Sequence, residues 1–266
     1  LLKARTNSDQ PTNTSSSKFS MVNYAAISYS KAGLAFRHLK GSLGETTFNQ
    51  TMQDFFQQWK FKHPYPLDLA ASFREHTDNN LEWFFDSMLK SSQKMDYKIK
   101  KYQQQKILVK NKGQIAAPLV IEGRNNGEKS FTKWYPGFNG TKWLEVPDKK
   151  VDQFVIDPDH QMLELYRHNN RLRTSGLFKK TEPLKLEFMG VVNNPRYTQI
   201  HLLPAIGWNY YDKAMLGLFA YDALLPPDRF DYYLAPMYST SRKNFSGLGE
   251  VGINLYPDRT FRKINL

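Results

Sequence analysis

The chain has 266 residues, of which 40% are apolar, 14% aromatic and 23% charged: globular chemistry, with enough apolar material for more than one core. Its formal net charge of +12 implies a basic surface, and the absence of cysteine excludes thiolate metal sites, disulfides and a cysteine nucleophile. No apolar run reaches the ~18 residues a membrane-spanning helix requires, and the opening "LLKARTNSDQPTNTSSSK" has no signal-peptide layout.

In chain order, residues 5–18 are mostly Asn, Ser, Thr, Asp, Gln and Pro and read as a loop. "YAAISYSKAG" (24–33) then forms a polar, aromatic preamble to a helix expected over 30–43, with Leu34, Phe36, Leu39 and Leu43 apolar and Gly44 as its stop. A second helix is expected over 46–60, capped by Thr46 or Thr47, with Phe48, Met52, Phe55, Phe56 and Trp59 at helical spacing. Pro64 and Pro66 end it, and Pro66 opens a third helix over 66–76. A fourth, over 79–90, has Asn79 or Asp78 as cap and Leu81, Phe84, Phe85 and Met88 on one side.

After Met95 the apolar period changes. "DYKIKKYQQQKILVKNKG", "QIAAPLVIEG", "FTKWYP", "FNGTKWLEVP" and "VDQFVIDPDH" are short strand candidates separated by Asn/Gly/Pro turns, which predicts an antiparallel sandwich. "TQIHLLPAIGWN", "KAMLGLFAYD", "RFDYYLAPMYST" and "GLGEVGINLYP" are longer, with Tyr, Trp, Leu and Gly on both alternating faces. They read as consecutive hairpins, equally of a soluble meander or of a membrane barrel. The expected fold is therefore α+β and multidomain: a helical part over 1–95, an antiparallel β-sandwich over 96–170, and a β-meander or barrel-like segment over 171–266. The last segment is expected to expose an apolar face or an open edge. With no initial Met and with the alternating "TFRKINL" at its close, the chain is expected to be cut from something longer.

The lysines crowd residues 90–112 (Lys90, Lys94, Lys98, Lys100, Lys101, Lys106, Lys110 and Lys112, with Asp96 among them), but no nucleic-acid-binding motif surrounds them. They read as a solvated face, and no nucleic-acid partner is expected. Asp157, Asp159 and Glu164 lack the glycine and spacing of a calcium loop. "GLGEVG" (247–252) is not followed by the Lys-Ser/Thr of a phosphate loop, and no G-x-S-x-G is present. Asp54, Asp68 and Glu75 read as helix-surface or capping carboxylates.

The order of Tyr29, Lys31, Leu43, Gly44, Glu45, Phe48, Trp59, Lys62, His63, Pro64, Asp68, Phe73, Leu81, Trp83 and Phe84 resembles that of the gluzincin zinc aminopeptidases, the alanyl aminopeptidase relatives. "DYKIKKYQ" and "VIDPDHQMLELYRHNN" resemble the β-sandwich that follows the catalytic domain in bacterial members. The final hairpins resemble a barrel-like extension of a Bacteroidetes-type subset. The resemblance implies that the helical part ends a thermolysin-like catalytic domain. It also implies a catalytic role for Tyr29, whose phenol would stabilise the oxyanion formed when zinc-activated water attacks a peptide, and a substrate contact for Tyr24. In both cases the plainer alternative is a tyrosine packed at a helix start with a wet hydroxyl.

Zinc in this family is held by H-E-x-x-H and a later Glu. His38, His63, His76, His160, His168 and His201 do not form that motif, so no metal site and no cofactor are expected in this chain. The reading is the C-terminal portion of a zinc aminopeptidase, inactive alone, with zinc and the peptide substrate belonging to the parent enzyme. Location in the cell envelope (periplasm or outer membrane) and membrane association of the last segment are expected. The alternative is a non-catalytic envelope binding or scaffold protein that reuses the fold.

Overall fold

The helices fall where apolar residues recur at three and four positions. In the computed structural model, which describes residues 1–257 and 261–266, α1 is the single turn Leu2–Arg5, α2 spans Met21–Ala25, α3 Ala32–Leu43, α4 Glu45–Trp59 and α5 Pro66–His76. Thr260 of the terminal "TFRKINL" lies outside the described residues. A π-helical turn, Ala26–Lys31, joins α2 to α3, so residues 21–43 wind without a break. This corrects the expected start near residue 30. Ser20 is the N-cap, its hydroxyl accepting from the Asn23 N–H at 3.4 Å, and the tyrosine stretch lies inside the helical run instead of ahead of it.

Gly44 ends α3 at φ 85° and is also the N-cap of α4, so neither Thr46 nor Thr47 has that role. A positive φ here is open to glycine at no steric cost. Pro66 opens α5, and the Asp68 carboxylate accepts from the Tyr65 N–H at 2.7 Å. The fourth expected helix is shorter than its pattern suggested: a π-helical turn, Trp83–Met88, entered through Asn80, whose Oδ1 accepts from the Glu82 N–H at 2.8 Å. Asn79 and Asp78 do not cap it.

The chain divides into two compact units, residues 9–180 and residues 1–8 with 181–266. The first contains α2–α5 and seven strands: β1 (Tyr97–Gln103), β2 (Lys106–Asn111), β3 (Leu119–Asn125), β4 (Glu128–Tyr135), β5 (Thr141–Glu145), β6 (Gln153–Ile156) and β7 (Arg171–Arg173). They form two antiparallel sheets, β1-β2-β5 and β4-β3-β6-β7, in a sandwich-like arrangement. The first hairpin turns on Gln104 and Gln105, both at positive φ. Residues Leu119–Gly123 of β3 are buried throughout, as befits a strand with a neighbour on each side, and the one carboxylate among them, Glu122, accepts from Arg124 Nε at 2.6 Å. Helices and sheets share one core: Leu39, Phe73, Phe84 and Met88 from the helical part are continuous with Tyr97, Ile99, Ile107 and Phe154 from the strands. Phe84 is its aromatic centre, with Phe36, Trp83 and Phe85 rings at 5.2, 5.5 and 4.9 Å.

The second unit is a six-stranded sheet of β8 (Leu184–Phe188), β9 (Thr198–Asn209), β10 (Lys213–Tyr221), β11 (Phe230–Ser239), β12 (Phe245–Leu255) and β13 (Ile264–Asn265), in the order β13-β12-β11-β10-β9-β8. The four long strands match the four segments read from the sequence. β8 adds in parallel to the start of β9; the other pairs are antiparallel. Among the described residues the sheet stays open. β8 pairs only with 198–202 and β13 only with 254–255, so neither edge meets the other and the barrel-like expectation is not met by closure. α1 belongs to this unit: Arg5 Nη1 lies 2.6 Å from the Asp228 carboxylate and also donates to the carbonyls of Pro226 and Pro227.

Candidate functional site

Five residues along a regular α-helix rotate the side chain through about 500°, leaving the two roughly 140° apart around the axis. Tyr24 and Tyr29 nevertheless meet, their rings 6.2 Å apart and at 80°. The widened Ala26–Lys31 turn makes this possible, because an i→i+5 hydrogen-bond pattern brings residues five apart toward the same side. Phe19 packs edge-on to Tyr24 at 6.1 Å. Both tyrosines are exposed, Tyr24 by 44% and Tyr29 by 67%, and neither hydroxyl has a hydrogen-bond partner among the described residues. The sequence pairs these residues only through a resemblance; the contact depends on a π-helical turn that no residue pattern announced.

Two residues beyond Tyr29, Lys31 points into a buried charge cluster. Its Nζ lies 3.4 Å from Asp9 Oδ2 and 3.5 Å from the Ser91 carbonyl, while Lys94 donates to Asp9 Oδ1. The Asp9 side chain is only 3% exposed. Burial lowers the Lys31 pKa, the Lys94 charge lowers it further, and Asp9 opposes both. One carboxylate thus anchors two ammonium groups, tying the chain at residues 9 and 94 to the helical run that carries the tyrosines. Asp9 sits in a stretch that reads as loop, and its role depends on partners 22 and 85 positions away.

His38 and His76 serve packing and local bonding. His38 is fully buried, stacked on Trp134 (5.8 Å, 25°) and close to Trp83 (4.8 Å), with Nε2 2.7 Å from the Pro118 carbonyl. A carbonyl only accepts, so Nε2 carries the hydrogen; Nδ1 is buried without a partner among the described residues. Burial holds its pKa down at about 4. His76 donates from Nδ1 to the Ser72 carbonyl and from Nε2 to Asp54, both at 2.8 Å, and these bonds raise its pKa. Glu164 is buried and accepts twice from the Tyr97 N–H; burial, then Asp96 and Asp157, push its carboxyl well above the usual range. Among the described residues no group of three His, Asp or Glu side chains is arranged to hold a metal, so these side chains do not fit a zinc ion.

Comparison of the chain with protein-family models and with curated proteins finds no match.

Proposed function

We propose that the chain is the C-terminal portion of a zinc-dependent aminopeptidase, and that its own contribution to peptide hydrolysis is the phenol of Tyr29. The observation that carries this reading is the exposed, edge-on Tyr24–Tyr29 pair, Tyr24 at the end of α2 and Tyr29 on the π-helical turn that follows, a kind of turn frequent at functional sites. Tyr29 donates its hydroxyl hydrogen to the oxygen that becomes anionic as the scissile carbonyl turns tetrahedral. Tyr24 supports that ring and contacts the peptide. The Lys31–Asp9–Lys94 cluster holds the helical run in place behind them. Zinc chemistry belongs to residues outside this set. The proposed location is the cell envelope.

The test has two stages. The residues encoded ahead of Leu1 should contain H-E-x-x-H and a later Glu. In that longer enzyme, Tyr29→Phe should depress kcat on an aminoacyl substrate and leave KM near its original value. Normal turnover by the variant would remove the catalytic assignment.

A second reading, a non-catalytic envelope binding or scaffold protein, draws on a different observation. A cavity of about 510 Å³ in the unit of residues 9–180, bordered by Leu43, Asn80, Trp83, Gln114, Trp134 and Asn139, has the size of a small-ligand site. A start codon immediately before Leu1 would favour it.

A further inference from the structure

The open six-stranded sheet has two faces of opposite chemistry. Antiparallel partners share a face, so the register sorts every strand residue. One face carries, in cross-strand rows, Ile206–Leu216–Tyr238–Phe245 and Leu202–Ala220–Leu234–Gly249, with Leu186 beside Ile200 at one edge and Leu255 beside Ile264 at the other. No strand residue on this face is charged and none is an amide; Thr198, the tyrosine hydroxyls and the Trp208 indole N–H are its polar groups. Lys185, Glu187, His201, Lys213, Asp231 and Glu250 all lie on the opposite face.

Exposure follows the same division. Of the exposed large apolar residues in β8–β12, all but Leu248 are on the uncharged face, including Ile206 at 82% and Phe245 at 80%. The opposite face buries Gln199, His201, Ser239 and Asn254. The opposite face thus covers these four polar residues while Lys185, Lys213, Asp231 and Glu250 reach solvent from it, and the uncharged face leaves its large apolar side chains bare, the inverse of a sheet built for water on its open side.

We infer that the uncharged face of this sheet stands against the acyl chains of a lipid bilayer. A protein partner or a second copy does not require an uncharged surface from edge to edge, since protein interfaces keep a polar rim. Hydrocarbon does require it. The dimensions agree: strands of 9 to 12 residues, rising about 3.3 Å per residue and tilted by about 40°, cover roughly the 25 Å apolar band of a membrane sheet. Aromatic residues gather at the strand ends. Trp208, Tyr238 and Phe245 are at the end of the 210–212 and 240–244 turns, where Lys213, Arg242 and Lys243 also lie, and Phe230 and Tyr232 are at the other. In lipid, the open edges of β9 and β12 must be paired by further strands. This inference does not depend on the peptidase reading.

The experiment is flotation of the full chain, refolded with phosphatidylcholine vesicles, at high salt so that the +12 charge contributes little. Wild type should float, and acyl-chain-brominated lipid should quench Trp208, measured as the difference from Trp208→Phe. Leu218→Arg, centred on the uncharged face, should lower partitioning by about thirtyfold or more. Leu248→Arg, on the opposite face, should leave it unchanged. Both positions are already exposed, at 52% and 56%, so neither substitution disturbs a core. A chain that stays in the aqueous fraction, as monomer or as oligomer, overturns the inference. So does equal partitioning of the two arginine variants.

Discussion

His38 makes the fold acid-sensitive, by an amount that follows from its surroundings. The ring is fully buried between Trp83 and Trp134, with one hydrogen bond to the Pro118 carbonyl and, among the described residues, no partner for Nδ1. Burial disfavours the cation and lowers its pKa to about 4, against about 6.5 in the unfolded chain. Between those values the unfolded state binds the extra proton, so stability is full above pH 6.5 and declines as the pH falls toward 4. The linkage relation gives a loss of about 2 kcal/mol by pH 5 and about 3 kcal/mol by pH 4 from this residue alone. Glu164 works the other way: its raised carboxyl binds a proton in the native state first, so its contribution declines as the pH rises above the usual carboxylate range. His76, raised by its two bonds, favours the folded state on the acid side and loses that effect as the pH passes its folded value. Comparison with His38→Gln cancels both. The amide can still donate to the Pro118 carbonyl but does not titrate between pH 4 and 7. Urea unfolding followed by tryptophan fluorescence at pH 7, 6, 5 and 4 should give a steeper acid decline for wild type, the two curves diverging by about 2 kcal/mol by pH 5. Parallel curves, or a His38 ring resonance titrating above pH 6, would refute the reasoning.

The other expectations are more direct. On the proposed aminopeptidase reading, Tyr29→Phe in the longer enzyme should cost roughly 3–4 kcal/mol in kcat, as loss of one oxyanion donor does, and Tyr24→Phe should cost less, measured as steady-state rates. Gly137→Ala should destabilise the unit of residues 9–180 by about 1–3 kcal/mol in urea, because its Cβ would lie 1.9 Å from the Ala116 carbonyl oxygen, a backbone atom that cannot step aside. Phe84→Ala should cost about 3–5 kcal/mol by the same assay, since a fully buried ring packed on three others leaves a cavity. Elemental analysis of the isolated chain should find no stoichiometric zinc; one tightly held zinc per chain would mean that distant side chains converge.

The sequence by itself was enough to locate most elements, because their signals are local. Pro66 at a helix start, Gly44 at a helix end, the switch in apolar period after Met95 and the four long alternating segments of the final sheet depend only on neighbouring residues. Tyr24 and Tyr29 could be named as a candidate site from their place in a family-like pattern. Their contact could not, because it needs a π-helical turn, a small difference in hydrogen-bond register that side-chain spacing does not encode. Asp9 between two lysines, His38 between two tryptophans and the parallel addition of β8 were equally hidden, because each joins residues far apart in the chain and exists only after collapse. The uncharged sheet face lies between these cases. Alternation along each strand is legible in one dimension, but which alternate set falls on which side depends on register between strands. Register is a tertiary property, since a slip of one residue would turn every side chain of a strand to the other face.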